Sequence, residues 1–78
     1  MKEQIIKKSV KPQKTTIVNP KGTIIREKTY NAGKLDGPIN LYWDNGNIRL
    51  TGQFKESIRE GNWKHYNPEG DIILEENF

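Results

Sequence analysis

The stretch Asn19-Pro20-Lys21-Gly22-Thr23-Ile24-Ile25 returns 48 residues later as Asn67-Pro68-Glu69-Gly70-Asp71-Ile72-Ile73. Midway between them, Trp43-Asp44-Asn45-Gly46-Asn47-Ile48 keeps the same outline, so the sequence falls onto itself with a period of 24 residues. In the Asn-Pro-x-Gly form, proline presets φ at the first corner and glycine supplies the left-handed position that closes the turn. That combination predicts a type I turn with a glycine bulge, a common hairpin loop.

Other positions obey the same lattice. Tyr30, Phe54 and Phe78 align, as do Gly37 with Gly61, Asp36 with Glu60, and Tyr42 with Tyr66. A fixed period in this range signals a repeat architecture in which each unit is one supersecondary element buried by its neighbours. The segments Thr23–Tyr30, Pro38–Tyr42, Asn47–Phe54, Asn62–Tyr66 and Asp71–Phe78 are short, rich in β-branched and aromatic residues, and bounded by turn residues. Thr15–Val18 fits one further strand, and Gln4–Lys7 a degenerate one, because Ile6 falls on the lattice of Tyr30. Asn31–Gly37 and Lys55–Gly61 read as longer connections, with Asp36 and Glu60 organising the loop rather than performing acid–base work. The expected fold is all-β: a single antiparallel meander of 24-residue hairpin repeats, curled or twisted, over residues 15–78.

Composition narrows the function. The chain has 78 residues, 32% of them hydrophobic, one histidine and no cysteine. It is too small for a large core with a deep substrate pocket. Without cysteine there is no thiolate nucleophile, disulfide framework or thiolate metal site. No P-loop, dinucleotide fingerprint or helical metal motif occurs. His65 has no partner in a recognisable catalytic motif, and Glu75 and Glu76 alternate across a strand, so they do not converge on one substrate. The reading is non-enzymatic, with no catalytic residues, cofactor or metal. No apolar run reaches bilayer length and no signal-peptide core is present, so the cytoplasm is the expected compartment.

Charge is uneven. Residues 1–14 hold five lysines against Glu3, a local balance of +4, and the remainder holds 8 basic and 9 acidic residues, a balance of −1. A basic N-terminal arm thus precedes a nearly neutral body. Such an arm either aids solubility as a solvated terminus or touches nucleic acid or anionic lipid.

The pattern aromatic-x-x-Gly-x-x-acid-Gly-x-x-x-x-Tyr, then a turn to Gly-x-Ile, resembles the MORN-repeat variant of the bacterial YwqK-like family, described as candidate antitoxins. Tyr30, Gly33, Asp36, Gly37, Tyr42, Gly46 and Ile48 carry it in one unit. Phe54, Glu60, Gly61, Trp63, Tyr66, Gly70 and Ile72 carry it in the next. Ser57 departs from the first loop glycine, and Ile39 stands in the slot where Trp63 gives the usual tryptophan. The resemblance spans roughly residues 19–78 and implies an elongated antiparallel sheet with a binding role.

If Trp43 and Asn47 flank the turn without interruption, Tyr42 opposes Ile48, Leu41 opposes Arg49 and Asn40 opposes Leu50. Alternation then assigns Val18, Ile24, Tyr30, Tyr42, Ile48, Leu50, Phe54, Tyr66, Ile72, Leu74 and Phe78 to a core face. The second face collects Ile39, Leu41, Trp43, Arg49, Trp63 and His65, with Ile17, Ile25 and Ile73. Two tryptophans, aliphatics and an arginine have the composition of an interface centre, which makes those six the candidate partner-binding residues. The competing reading is that the curl of the sheet or the arm covers this face. The functional expectation is a protein-binding module, an antitoxin- or inhibitor-like protein of a bacterium or phage that blocks a larger effector protein by steric occupation. A membrane-peripheral or structural MORN-type adaptor and a single-stranded nucleic-acid binder are the alternatives. Pairing through a sheet edge, with a partner strand or a second copy, offers another route to association.

Overall fold

A computed structural model describes residues 12–78. The arm proposed for residues 1–14 lies mostly outside the described residues, and the degenerate strand at Gln4–Lys7 lies wholly outside them. Six strands follow in order: β1 (Gln13–Val18), β2 (Ile24–Asn31), β3 (Lys34–Tyr42), β4 (Ile48–Lys55), β5 (Ile58–Tyr66) and β6 (Ile72–Asn77). They form one sheet in the order of the chain, every neighbour antiparallel. The expected meander is the observed fold. Its extents are 60 × 33 × 12 Å, and 12 Å leaves room for one layer only, since stacked sheets lie about 10 Å apart. Gln13 and Lys14 belong to β1, so the sheet reaches two residues into the stretch assigned to the arm.

Two kinds of turn alternate. At one end of the sheet, Gly22, Gly46 and Gly70 each donate a backbone N–H to the carbonyl three residues back, at 2.8–3.0 Å. The side-chain Oδ1 of Asn19 accepts from the N–H groups of Lys21 and Thr23, and Asn67 does the same for Glu69 and Asp71. Trp43 replaces that asparagine in the middle turn, where Asn45 Oδ1 accepts from the Asn47 N–H instead.

At the other end the long connections are absent. Asn31–Gly37 and Lys55–Gly61 are two-residue hairpins closed at Ala32-Gly33 (φ 53° and 81°) and Glu56-Ser57 (φ 48° and 69°). Two successive positive φ values match the right-handed twist of the flanking strands, so the chain reverses without a loop. Asp36 and Glu60 therefore lie within strands, next to irregular pairing at Gly37 and Gly61, rather than in loops.

The register also differs. Tyr42 opposes Ile48 as expected, but Leu41 opposes Leu50 and Asn40 opposes Thr51, leaving Arg49 as an extra residue. Ile25 and Ile73, 24 residues either side, are extra in the same way beside β1 and β5. Each is a bulge, and one unpaired residue exchanges the faces beyond it. The core-face list therefore splits. Val18, Ile24, Tyr42, Ile48, Tyr66 and Ile72 lie on one side near the turns, whereas Tyr30, Leu50, Phe54, Leu74 and Phe78 join Ile17, Ile39, Leu41, Trp63 and His65 on the other. A single row, Ile17, Arg26, Leu41, Leu50, His65 and Leu74, crosses all six strands on that second side.

The core is small and centred on Gly52. Among the described residues, Ile39 (6% exposed) and Trp63 (4% exposed) are the buried hydrophobic ones, one on each strand flanking β4. A Cβ on Gly52 would stand 2.2 Å from the Trp63 ring, so the missing side chain is what lets the indole lie across β4. Phe54 meets Trp63 edge-to-face at 5.1 Å and Phe78 does so at 6.1 Å, with Trp63 Nε1 donating to the Glu60 carbonyl at 3.1 Å. Arg59 caps the cluster, its guanidinium 4.4 Å from the Phe78 ring centre. On the opposite face Tyr42 Oη donates to Glu27 at 2.7 Å, and Asn40 and Lys14 approach the same carboxylate at 3.5 and 3.6 Å.

Candidate functional site

Trp43 directly follows β3 and opens the middle tight turn in the place of Asn19 and Asn67, where its indole reaches sideways to the next hairpin. Its Nε1 donates to the Tyr66 carbonyl at 3.2 Å, while Asn45 and Asn47 donate Nδ2 protons to the Pro68 carbonyl at 3.1 and 2.8 Å. Three donors from one turn thus tie it to its neighbour and hold the indole in place. The bulge next door lifts Arg49 out of the ladder and lays its guanidinium over Trp43, 4.8 Å from the ring centre.

The result is a half-open cleft of about 280 Å³ lined by Ile25, Arg26, Leu41, Tyr42, Trp43, Asp44 and Arg49. Arg26 stands directly across from Leu41, so two guanidinium groups border a floor of leucine and indole, with Asp44 the carboxylate at the rim. Arginine forks pair with carboxylates or phosphates, and the flat indole takes an apolar or planar group. This chemistry suits recognition of an acidic, partly apolar surface.

Of the six residues expected to bind, the cleft gathers Leu41, Trp43 and Arg49. Ile39 and Trp63 are instead the buried core: the Trp63 ring lies over Gly52 between Phe54 and Phe78, and Ile39 stands directly across from Gly52. His65 stands apart in the row with Leu50 and Leu74, its Nε2 3.0 Å from Glu76 Oε1 on the adjacent strand, both side chains over a third exposed. Among the described residues, no three His, Cys, Asp or Glu side chains converge as a metal site would require. Arg26 and Asp44 were not read as site residues. The lattice carried a signal for the first: Ile25-Arg26 aligns with Arg49-Leu50, and the cleft lies over β3 between the two bulged strands, β2 and β4.

Arginines gather on one face, although each face holds both signs, with Glu76 and Asp44 on the side of the cleft and Lys14 and Lys64 on the other. Arg26, Lys28, Arg49 and Arg59 lie on the side of the cleft and the aromatic cluster, whereas the row Thr16, Glu27, Asn40, Thr51, Lys64 and Glu75 on the other side carries no arginine and balances its acids with Lys64 and, at Glu27, Lys14. Comparison with family models, with curated proteins and with solved structures finds no match.

Proposed function

We propose that this chain is a non-enzymatic protein-binding module, antitoxin- or inhibitor-like, that occupies the surface of a larger cytoplasmic protein of a bacterium or a phage-infected cell. The observation that carries the reading is the fixed Trp43–Arg49–Arg26 cleft on the open side of a one-layer sheet. Tryptophan and arginine dominate binding hot spots, and here both are held in position before any partner arrives, which lowers the entropy lost on association. Resemblance to the YwqK-like repeats points the same way.

The test pairs affinity with stability. Wild type and Trp43→Ala are used to capture partners from host lysate, and affinity for the captured protein is then measured. Trp43→Ala is expected to weaken binding roughly thirtyfold while the protein still melts cooperatively. Unchanged affinity in a folded Trp43→Ala variant overturns the reading. A second reading, single-stranded nucleic-acid binding, is favoured by the cations that share a face with the aromatic cluster. It predicts affinity for oligonucleotides that falls steeply with salt, whereas the protein interface keeps its affinity.

A further inference from the structure

The edges of the sheet carry a second message, independent of the cleft. Among the described residues, seven of the eight exposed large hydrophobic ones lie on the two outermost hairpins: Ile17, Val18 and Ile24 at one side, Ile72, Ile73, Leu74 and Phe78 at the other. Among the described residues, nothing pairs with the outer side of β1 or of β6. A strand edge with this much apolar exposure is a template for a further strand.

The repeat lattice says which strand fits. β6 stands where β2 and β4 stand in their units, and each of those is followed by a strand of the β3 or β5 kind. β1 is of that kind, since Ile17 aligns with Leu41 and His65, and Val18 with Tyr42 and Tyr66. We infer that β6 of one copy pairs antiparallel with β1 of a second copy, continuing the meander head to tail. The pairings Arg26 with Leu41 and Leu50 with His65 fix the register: Leu74 faces Ile17 of the next copy, and Glu75 faces Thr16.

Charge selects this pairing over its competitors. The hairpin from Asn67 to Phe78 carries Glu69, Asp71, Glu75 and Glu76 with no lysine or arginine. The segment from Pro12 to Gly22 carries Lys14 and Lys21 with no acid. β6 against β6 sets carboxylates together and β1 against β1 sets lysines together, so repulsion disfavours both symmetric arrangements. In the head-to-tail register Lys14 lies on the same face as Glu75, one pleat along and within reach of a long side chain. A heterologous contact of this type does not close on itself in pairs, so it builds chains of copies.

A disulfide trap tests the register in a chain that has no cysteine of its own. Thr16→Cys and Glu75→Cys both fall on exposed strand positions, and directly opposed strand residues are close enough to bridge. On oxidation, the double variant is expected to give a ladder of covalent dimers, trimers and longer species. An equal mixture of the two single variants should give dimers only. No cross-linking above that of either single variant alone overturns the inference. Ile17→Lys and Leu74→Lys provide a second arm. Each is expected to sediment as a monomer, having lost one compatible end, with association at least about tenfold weaker. Mixed, they should form a one-to-one dimer and nothing larger. Association that persists in either lysine variant alone points to a symmetric contact and overturns the proposal, as does a wild type that stays monomeric at millimolar concentration. If a lysine variant loses its β-type circular dichroism, the cysteine pair decides. Trp43→Ala should assemble normally, so failure of the cleft and failure of the edge read differently.

Discussion

Gly52 has a β-type backbone with no positive φ, so its importance lies in the space it leaves rather than in conformation. Adding a methyl there drives a carbon to within 2.2–2.5 Å of three Trp63 ring atoms, and the ring is held by Phe54, Phe78 and its own hydrogen bond. Gly52→Ala is expected to cost about 3 kcal/mol, the upper part of the overpacking range. Trp63→Ala should cost about 3–5 kcal/mol. Chemical denaturation of both and of the double variant checks the mechanism: the double should lose much less than the sum, because the clash disappears with the ring. None of this was legible in the sequence. Gly52 lies off the glycine lattice, and Trp63 reads as an interface anchor until its neighbour's missing side chain is known. On the other face, the hydrogen bond from Tyr42 holds the Glu27 carboxyl below its ordinary value of about 4.5, burial opposing, with Lys14 and Asn40 adding to the effect. Burial and the same carboxylate push the Tyr42 phenol above its ordinary 10.0. The folded chain therefore binds a proton at Glu27 more weakly than the unfolded chain, and at Tyr42 more tightly. The contribution of the pair is full between those values, fades as pH falls through the lowered Glu27 pKa, and fades again as pH rises past 10. Tyr42→Phe should accordingly be less stable than wild type at pH 7, with the gap in melting temperature narrowing below pH 4.5.

At the scale of the hairpin, the two turn types respond to opposite substitutions. Ser57 sits at φ 69° where the equivalent position of the other unit has Gly33 at φ 81°. A side chain in the left-handed region costs roughly 1–2 kcal/mol, so Ser57→Gly should raise stability by about 1 kcal/mol. Gly46, at φ 89°, is the reverse case. Gly46→Val should cost at least about 1–2 kcal/mol, since a β-branched residue is an outlier there. Thermal melts of the two variants should move in opposite directions, and a Gly46→Val melt at the wild-type temperature would refute the turn assignment. The tight turns were legible because asparagine, proline and glycine each do a separate job at a fixed offset. The two-residue turns were missed because Ser57 and Ala32 carry no such signature, and Gly37 and Gly61 drew the boundary outward. The bulges at Ile25, Arg49 and Ile73 were hidden for a simpler reason: an extra residue has no composition of its own. Its omission put Tyr30, Leu50, Phe54, Leu74 and Phe78 on the wrong face, although Leu41, Trp43 and Arg49 were still read on one side.

Across the whole molecule, strength follows the core. Ile39, Gly52 and Trp63 lie in β3, β4 and β5, whereas all six residues of β1 and five of six in β6 are exposed. Hydrogen exchange should reflect this gradient, with amides of β3–β5 protected at least about tenfold longer than those of β1. Uniform protection would mean that the repeats unfold as one unit. The single layer was legible at this scale, because a fixed 24-residue period and a hydrophobic content of 32% support a stacked row of hairpins and no second layer. Strand order in the sheet is strand order in the chain. It follows that no strand waits for one made much later. During synthesis at roughly 5–20 residues per second, a unit leaves the ribosome every few seconds, and a hairpin closes in about 1–10 μs. Each hairpin can therefore settle against its predecessor before the next has been translated, and the sheet is laid down row by row like knitting from the needle.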